Sequence, residues 1–104
     1  MKIEIKANIV PGSAPQRFRE GGRWHQNVRI YLVSEDDADL DKIRSVEYVL
    51  HPTFRDRYRT STNRTRNFEV RIWTYGYFNI KANLTFKDGS TETITGFVRW
   101  QSMK

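Results

Sequence analysis

The sequence predicts an all-β protein, an antiparallel β-sandwich formed as one domain by residues 1–104. Three observations carry this prediction. Apolar and polar residues alternate with a period of two over short segments, which is the pattern of half-buried strands. Turn residues separate these segments, and no useful length of chain has the 3.6-residue period of an amphipathic helix. A chain of 104 residues can bury one core without disulfides.

The predicted strands are defined by their inward-facing rows. Each row places apolar residues at every second position, so one face of the strand packs and the other meets water. The rows are Ile3, Ile5, Ala7 and Ile9; Val28, Ile30 and Leu32; Val46, Tyr48 and Leu50; Phe68, Val70 and Ile72; Phe78, Ile80, Ala82, Leu84 and Phe86; and Ile94, Gly96, Val98 and Trp100. Trp73 is also expected in the core.

Two connections are predicted from local residue chemistry. Asp88-Gly89 predicts a tight hairpin, because glycine accepts the positive φ that such a reversal needs. Residues 34–41 are acidic and predict one helical turn, with Asp39 as its cap.

The charge is uneven along the chain. Eighteen basic and twelve acidic residues leave a net charge of +6. Residues 35–42 hold five acids and one lysine, net −4, whereas residues 55–71 hold six arginines and two acids, net +4, in what is predicted to be a basic loop. Both runs are interpreted first as solvated surface, and the basic one as a possible contact for an acidic partner.

Composition gives no support for catalysis. The chain has two histidines and no cysteine, and no cluster has metal-ligand spacing. No serine or carboxylate stands in a nucleophile-elbow or phosphate-loop context. A non-enzyme without cofactor or metal is therefore expected. No signal peptide or membrane span is predicted from the sequence, and a cytoplasmic location is expected.

Two motifs stand where strands end, which is where all-β proteins usually hold binding residues. The first is Leu50-His51-Pro52-Thr53-Phe54, in which the proline ends a strand. The second is Thr74-Tyr75-Gly76-Tyr77-Phe78, in which the glycine is predicted to allow a backbone turn.

Together these motifs resemble the YEATS domain family, and more closely its prokaryotic form. That family has Leu-His-Pro-Ser/Thr-Phe, a loop, and then Gly-aromatic-Gly-x-Phe. The first motif is complete here, but Thr74 stands where the family has glycine. The resemblance extends over residues 43–86 and implies an immunoglobulin-like sandwich.

The resemblance also implies a function, the reading of acylated lysine between aromatic side chains. Phe54 and Tyr75 would be the walls, and the Thr53 hydroxyl and the backbone N–H of Tyr75 would hold the amide. His51 would support the loop or touch the ligand. The remaining candidates for ligand binding are Trp24, Thr74 and Gly76. A side chain at Thr74 is expected to narrow the pocket or alter the turn.

Other interpretations stay open at this level. Phe54 and Tyr75 are also explained as plugs at the end of the sandwich, and His51 as a structural residue. Nucleic acid is an alternative partner, bound by phosphate contacts and by stacking of one tyrosine on a base. The residues proposed for it are Arg55, Arg57, Tyr58, Arg59, Arg64 and Arg66. A third interpretation is a protein–protein interaction module within a larger bacterial signalling or defence protein.

Overall fold

The computed structural model describes residues 2–12, 14, 16–17, 24–52, 54, 56–74 and 76–99, with the backbone alone for Gln16, Arg17 and Trp24. These residues form eight strands and two short 3₁₀ helices. The strands are β1 (Ile3–Ile9), β2 (Gln16–Arg17), β3 (Trp24–Ser34), β4 (Ile43–Val49), β5 (Tyr58–Ser61), β6 (Val70–Thr74), β7 (Phe78–Phe86) and β8 (Thr91–Val98). The 3₁₀ helices are Asp37–Lys42 and Arg64–Arg66.

The strands form two antiparallel sheets. In the first sheet, β3 pairs with β2 at its start, with β6 from Gln26 to Ile30 and with β1 from Val28 to Ser34. In the second, the order is β5-β4-β7-β8. This arrangement confirms the predicted β-sandwich.

The core lies between the sheets and is formed by the predicted alternating rows. The side chains of β3, β4 and β7 supply most of it. Its fully buried members include Val28, Ile30, Leu32, Val46, Tyr48, Ala82, Leu84 and Val98. Phe78 and Phe86 are buried as predicted, and Trp100 lies outside the described residues. The prediction for Trp73 is wrong, because its neighbours Ile72 and Thr74 take the inward positions of β6 and leave Trp73 partly exposed on the other face.

The sheets approach each other closely where β1 meets β8. A Cβ atom built on Gly96 would lie 3.1 Å from the Cβ of Ile5. Real Cβ contacts are rarely that short, so this approach explains why an apolar row contains a residue without a side chain.

Both predicted connections are present, with one change of residue. The acidic segment forms the 3₁₀ helix Asp37–Lys42, but Asp36 caps it by accepting a hydrogen bond from the Ala38 backbone N–H. Asp39 instead accepts from the Ser34 hydroxyl at 2.9 Å, so its prediction as the cap is wrong.

The hairpin between β7 and β8 forms at Asp88 and Gly89 as predicted. Gly89 has φ +91°, the left-handed value for which glycine is favoured. The Ser90 hydroxyl and backbone N–H both donate to the Asp88 carboxylate, and these hydrogen bonds lower the pKa of Asp88.

A buried hydrogen bond joins the sheets near the start of β6. The Tyr48 hydroxyl donates to the Phe68 carbonyl at 2.8 Å, and both side chains are fully buried. Burial raises the pKa of Tyr48, so its hydroxyl keeps its proton. Phe68 precedes β6 with φ +59°, and Asn67 has φ +56°. The bond therefore holds a left-handed segment that L-residues rarely adopt.

We expect Tyr48→Phe to lower the free energy of unfolding by about 1–3 kcal/mol, because the Phe68 carbonyl stays buried without its donor. Urea unfolding measures the loss. Tyr31→Phe is the matched control, since its hydroxyl accepts a longer bond, 3.3 Å, from Asn8 in a partly buried position. Equal losses in both variants would contradict a special role for the buried bond.

No helix among the described residues is long and apolar enough to cross a membrane.

Candidate functional site

The first motif forms a compact loop after β4. The Leu50 N–H donates to the Arg57 carbonyl at 2.7 Å and closes the loop at its base. Within it, the Phe54 N–H donates to the His51 carbonyl at 3.0 Å. Pro52 stands directly after His51, the position at which its fixed φ favours a β-turn. The motif therefore specifies a turn that brings Phe54 back toward the end of the sandwich.

The second motif joins β6 to β7, and Thr74 braces it. Thr74 is the last residue of β6 and is only 4% exposed. Its hydroxyl donates to the Gly76 carbonyl at 3.0 Å, and the Gly76 N–H lies 3.4 Å from the same oxygen. The side chain of Thr74, at the position where the resemblance predicted glycine, is therefore folded into the loop, and its hydroxyl is already hydrogen-bonded.

Gly76 lies in the bend between β6 and β7, where a turn was predicted. Its φ is not in the left-handed region, and an added Cβ atom would meet nothing within 4 Å. The predicted turn is therefore present, but a left-handed glycine does not form it. The Thr74 hydroxyl stabilises the turn instead.

The two motifs meet through their phenylalanines. The ring centroids of Phe54 and Phe78 lie 5.1 Å apart with their planes inclined at 54°. Phe78 is buried at the start of β7, while Phe54 is partly buried and packs against the core. Such tilted pairs are favourable beyond the area they bury. This contact fixes the first loop against the strand that follows the second.

The structure describes some of the other predicted ligand-binding residues fully, one by its backbone alone, and two not at all. His51 is exposed beside the loop base. The backbone of Trp24 is at the start of β3, two residues before the pairing of Gln26 with Thr74, and so at the same end of the sandwich. Thr53 and Tyr75 lie outside the described residues.

The run predicted as one basic loop, residues 55–71, is not a single loop. It contains β5, the second 3₁₀ helix and the start of β6. Arg57 and Tyr58 lie near the first motif, and the Arg57 guanidinium is 5.4 Å from the Tyr58 ring centroid. Arg59 is on β5, with its Nε 3.6 Å from the Asp56 carboxylate. Arg55 lies outside the described residues.

Arg64 and Arg66 contact acids instead of forming a surface with Arg57. Arg64 reaches the acidic 3₁₀ helix, at 2.9 Å from Asp37 and 2.7 Å from Asp41. Arg66 lies 3.7 Å from Glu69. The acidic and basic runs therefore compensate each other locally, because the turn after β5 and the turn before β4 lie at the same end of the sheet.

The outer face of the second sheet carries a groove that the sequence patterns did not reveal. It has a volume of about 720 Å³ and begins at the first loop, with His51 and Pro52 among its lining residues. Lys81 and Phe97 line it further along. Their alternation with buried neighbours showed that they face outward, but it did not show that they share a depression with the loop. A separate cavity of about 570 Å³ lies beside the hairpin at the opposite end of the sheet.

The family profile of the prokaryotic YEATS domain matches residues 26–97. The chain belongs to the prokaryotic YEATS domain family. No curated protein matches the chain in sequence. Within the described residues, no group of three or more His, Asp or Glu side chains is placed to hold a metal ion.

Solved YEATS structures share the fold at low sequence identity. The yeast AF-9 homologue Yaf9 matches at a TM-score of 0.66 and 17% identity, over 96% of this chain and 66% of that one. The Yaf9 YEATS domain recognising an H3K122suc peptide matches at a TM-score of 0.63 and 17% identity, over 94% of this chain and 70% of that one. The Yaf9 YEATS domain bound to H3K27ac matches at a TM-score of 0.59 and 17% identity, over 96% of this chain and 69% of that one.

Proposed function

We propose that this YEATS domain is a non-catalytic binding module that reads an acylated lysine at the end of the sandwich where the two motif loops meet. The observation that carries the proposal is the contact between Phe54 and Phe78, since it joins the two family motifs in space. Acetylated and succinylated histone peptides are the ligands named for the Yaf9 YEATS domain.

Each motif residue has a physical role in this proposal. Phe54 and Tyr75 flank the flat amide, which is neutral and stacks on ring faces at a lower desolvation cost than an ammonium. The Thr53 hydroxyl accepts the amide N–H, and the Tyr75 backbone N–H donates to the acyl carbonyl. Thr74 is a positioning residue here, because its hydroxyl bonds Gly76.

The flanking residues complete the proposed site. The His51 carbonyl anchors the turn that presents Phe54, and its exposed ring borders the ligand. Trp24 supplies a further aromatic from the same end of the sandwich, where its backbone lies.

A peptide titration tests the proposal. We expect an acetyl-lysine or crotonyl-lysine peptide to bind with a dissociation constant of roughly tens to hundreds of micromolar, because two ring contacts and two hydrogen bonds only modestly exceed the association cost. The matched unmodified peptide should not bind. Chemical-shift changes in an NMR titration should centre on Thr53, Phe54 and Tyr75. Equal responses to the acylated and unmodified peptides would rule out an acyl-lysine reader.

A further inference from the structure

The groove on the outer face of the second sheet continues directly from the proposed site. His51 and Pro52 line its beginning, and they belong to the same turn as Phe54. The groove then crosses β4, β7 and β8, because its lining includes Val49, Lys81 and Thr95, which are paired in register across the three strands. A ligand anchored at Phe54 therefore has a path along this face.

The charge of the groove is positive. Arg57 and Lys81 line it, and none of its described lining residues is acidic. Two acids lie close to it, and each already has a partner. Glu47, on the same face of β4 as Val49, accepts a hydrogen bond from the Asn83 side chain at 3.1 Å. Asp56 lies 3.6 Å from the Arg59 guanidinium. The two lining cations therefore lack an acidic partner within the groove lining.

The Arg57 guanidinium also has one donor that no protein group satisfies. Its Nε atom is buried and has no hydrogen-bond partner. Buried donors in folded proteins are nearly always bonded, because the lost hydration is otherwise uncompensated. A carboxylate entering the groove would supply an acceptor to the guanidinium, and Arg binds carboxylates through paired N–H groups.

The far side of the groove is aromatic. Phe97 lines it and is 51% exposed. Its ring lies 6.1 Å from the ring of Tyr77, which is 52% exposed and is edge-on to it at 72°. Large apolar side chains held on a surface next to a groove are typical of binding sites.

We propose that this groove binds an extended peptide segment flanking the acylated lysine, and that it prefers acidic residues in that segment. The inference rests on the proposed function, which supplies the binding of the acylated lysine. It adds a preference for the residues that flank that lysine in the peptide. A lysine- and arginine-rich flank of the histone-tail type would place like charges beside Arg57 and Lys81. A nucleic acid fits less well, since two cations provide few of the phosphate contacts on which such binding depends.

Four peptides of equal length test the inference, with acetylated or unmodified lysine and with aspartate or lysine in the flank. We expect the acetylated aspartate peptide to bind about tenfold more tightly than the acetylated lysine-flanked peptide, from two partly exposed charge pairs. Lys81→Gln and Arg57→Gln should each remove part of this difference. Lys87→Gln, an exposed lysine at the distant hairpin, is the control and should leave it unchanged.

The possible results separate this inference from the proposed function. Acetyl-dependent binding without flank preference would overturn the groove assignment and leave the reader intact. Flank preference without acetyl dependence would support the groove and overturn the reader. A single-stranded oligonucleotide that competes with the acidic peptide for Lys81, and binds more tightly than it, would overturn the peptide assignment. Absence of binding by all four peptides would overturn both.

Discussion

Replacing Phe54 with alanine is expected to weaken binding of an acetyl-lysine peptide at least tenfold, to below detection in a weak-binding assay, while the domain stays folded. The substitution removes one wall of the proposed pocket and the tilted contact with Phe78 at 5.1 Å. A ring contact contributes about 0.5–1.5 kcal/mol beyond the area it buries, and the lost area adds to this. Since about 1.4 kcal/mol corresponds to a tenfold change, a weak complex is lost.

The control for this variant has to separate binding from stability. Phe54 is partly buried against the core, so its loss also lowers stability, by roughly 1–3 kcal/mol. Phe86→Leu removes a buried aromatic ring at the opposite end of β7 and should destabilise the fold without affecting the peptide. Isothermal titration with peptide and urea unfolding are measured on both variants. If Phe54→Ala binds the peptide as tightly as the wild type, Phe54 has only a structural role at the end of the sandwich.

The fold was predictable because burial alternates along most strands. β7 illustrates this, since Phe78, Ile80, Ala82, Leu84 and Phe86 are all buried as their spacing indicates. Trp73 was misplaced because hydrophobicity alone assigned it inward, while the register of β6 gave the inward positions to Ile72 and Thr74. The alternation that placed Ile72 inward already put Trp73 on the other face, and the pairing of β6 with β3 keeps that register.

The candidate site could be predicted only where its conformation depends on residues that are adjacent in sequence. The turn from His51 to Phe54 follows from a proline in its second position. The hydrogen bond from Thr74 to Gly76 did not follow, because the sequence indicated only that a side chain at residue 74 would narrow the pocket or alter the turn, and did not indicate the partner of its hydroxyl. The groove is lined by residues 57, 81 and 97, which are far apart in sequence. It could not be predicted, because the pairing of the strands brings these residues together.

The basic run was misread for a related reason. Counting charges along residues 55–71 assumes that neighbours in sequence share one surface. Strand β5 and the following 3₁₀ helix instead carry Arg64 away from Arg57, to the acids Asp37 and Asp41. Net charge therefore predicts solubility and general attraction to acidic partners, but it does not locate a binding surface.

The second large effect is expected at Glu69, which lies at the centre of three arginines. Its side chain is only 6% exposed, and it lies 3.3 Å from Arg29, 3.3 Å from Arg71 and 3.7 Å from Arg66. Arg29 and Arg71 face each other directly across β3 and β6. Like charges in that position repel, so the carboxylate is what allows the pair. Arg29 also donates to Asn8 and lies over the Tyr31 ring, which fixes it in place.

Glu69→Gln is therefore expected to lower the free energy of unfolding by about 1–3 kcal/mol, since it keeps the shape but removes the charge that offsets the arginines. Urea unfolding at low and high salt measures the loss. Salt should narrow the gap to the wild type, because it screens the exposed repulsion between Arg29 and Arg71. Adding Arg71→Thr to the variant should restore part of the stability, and the coupling is read from the double-mutant cycle.

Glu4→Gln, at an exposed pair with Lys6 at 3.7 Å, is the control and should cost at most about 1 kcal/mol. A loss at Glu69 no larger than at Glu4, with no rescue by Arg71→Thr, would show that the arginine pair does not depend on this carboxylate.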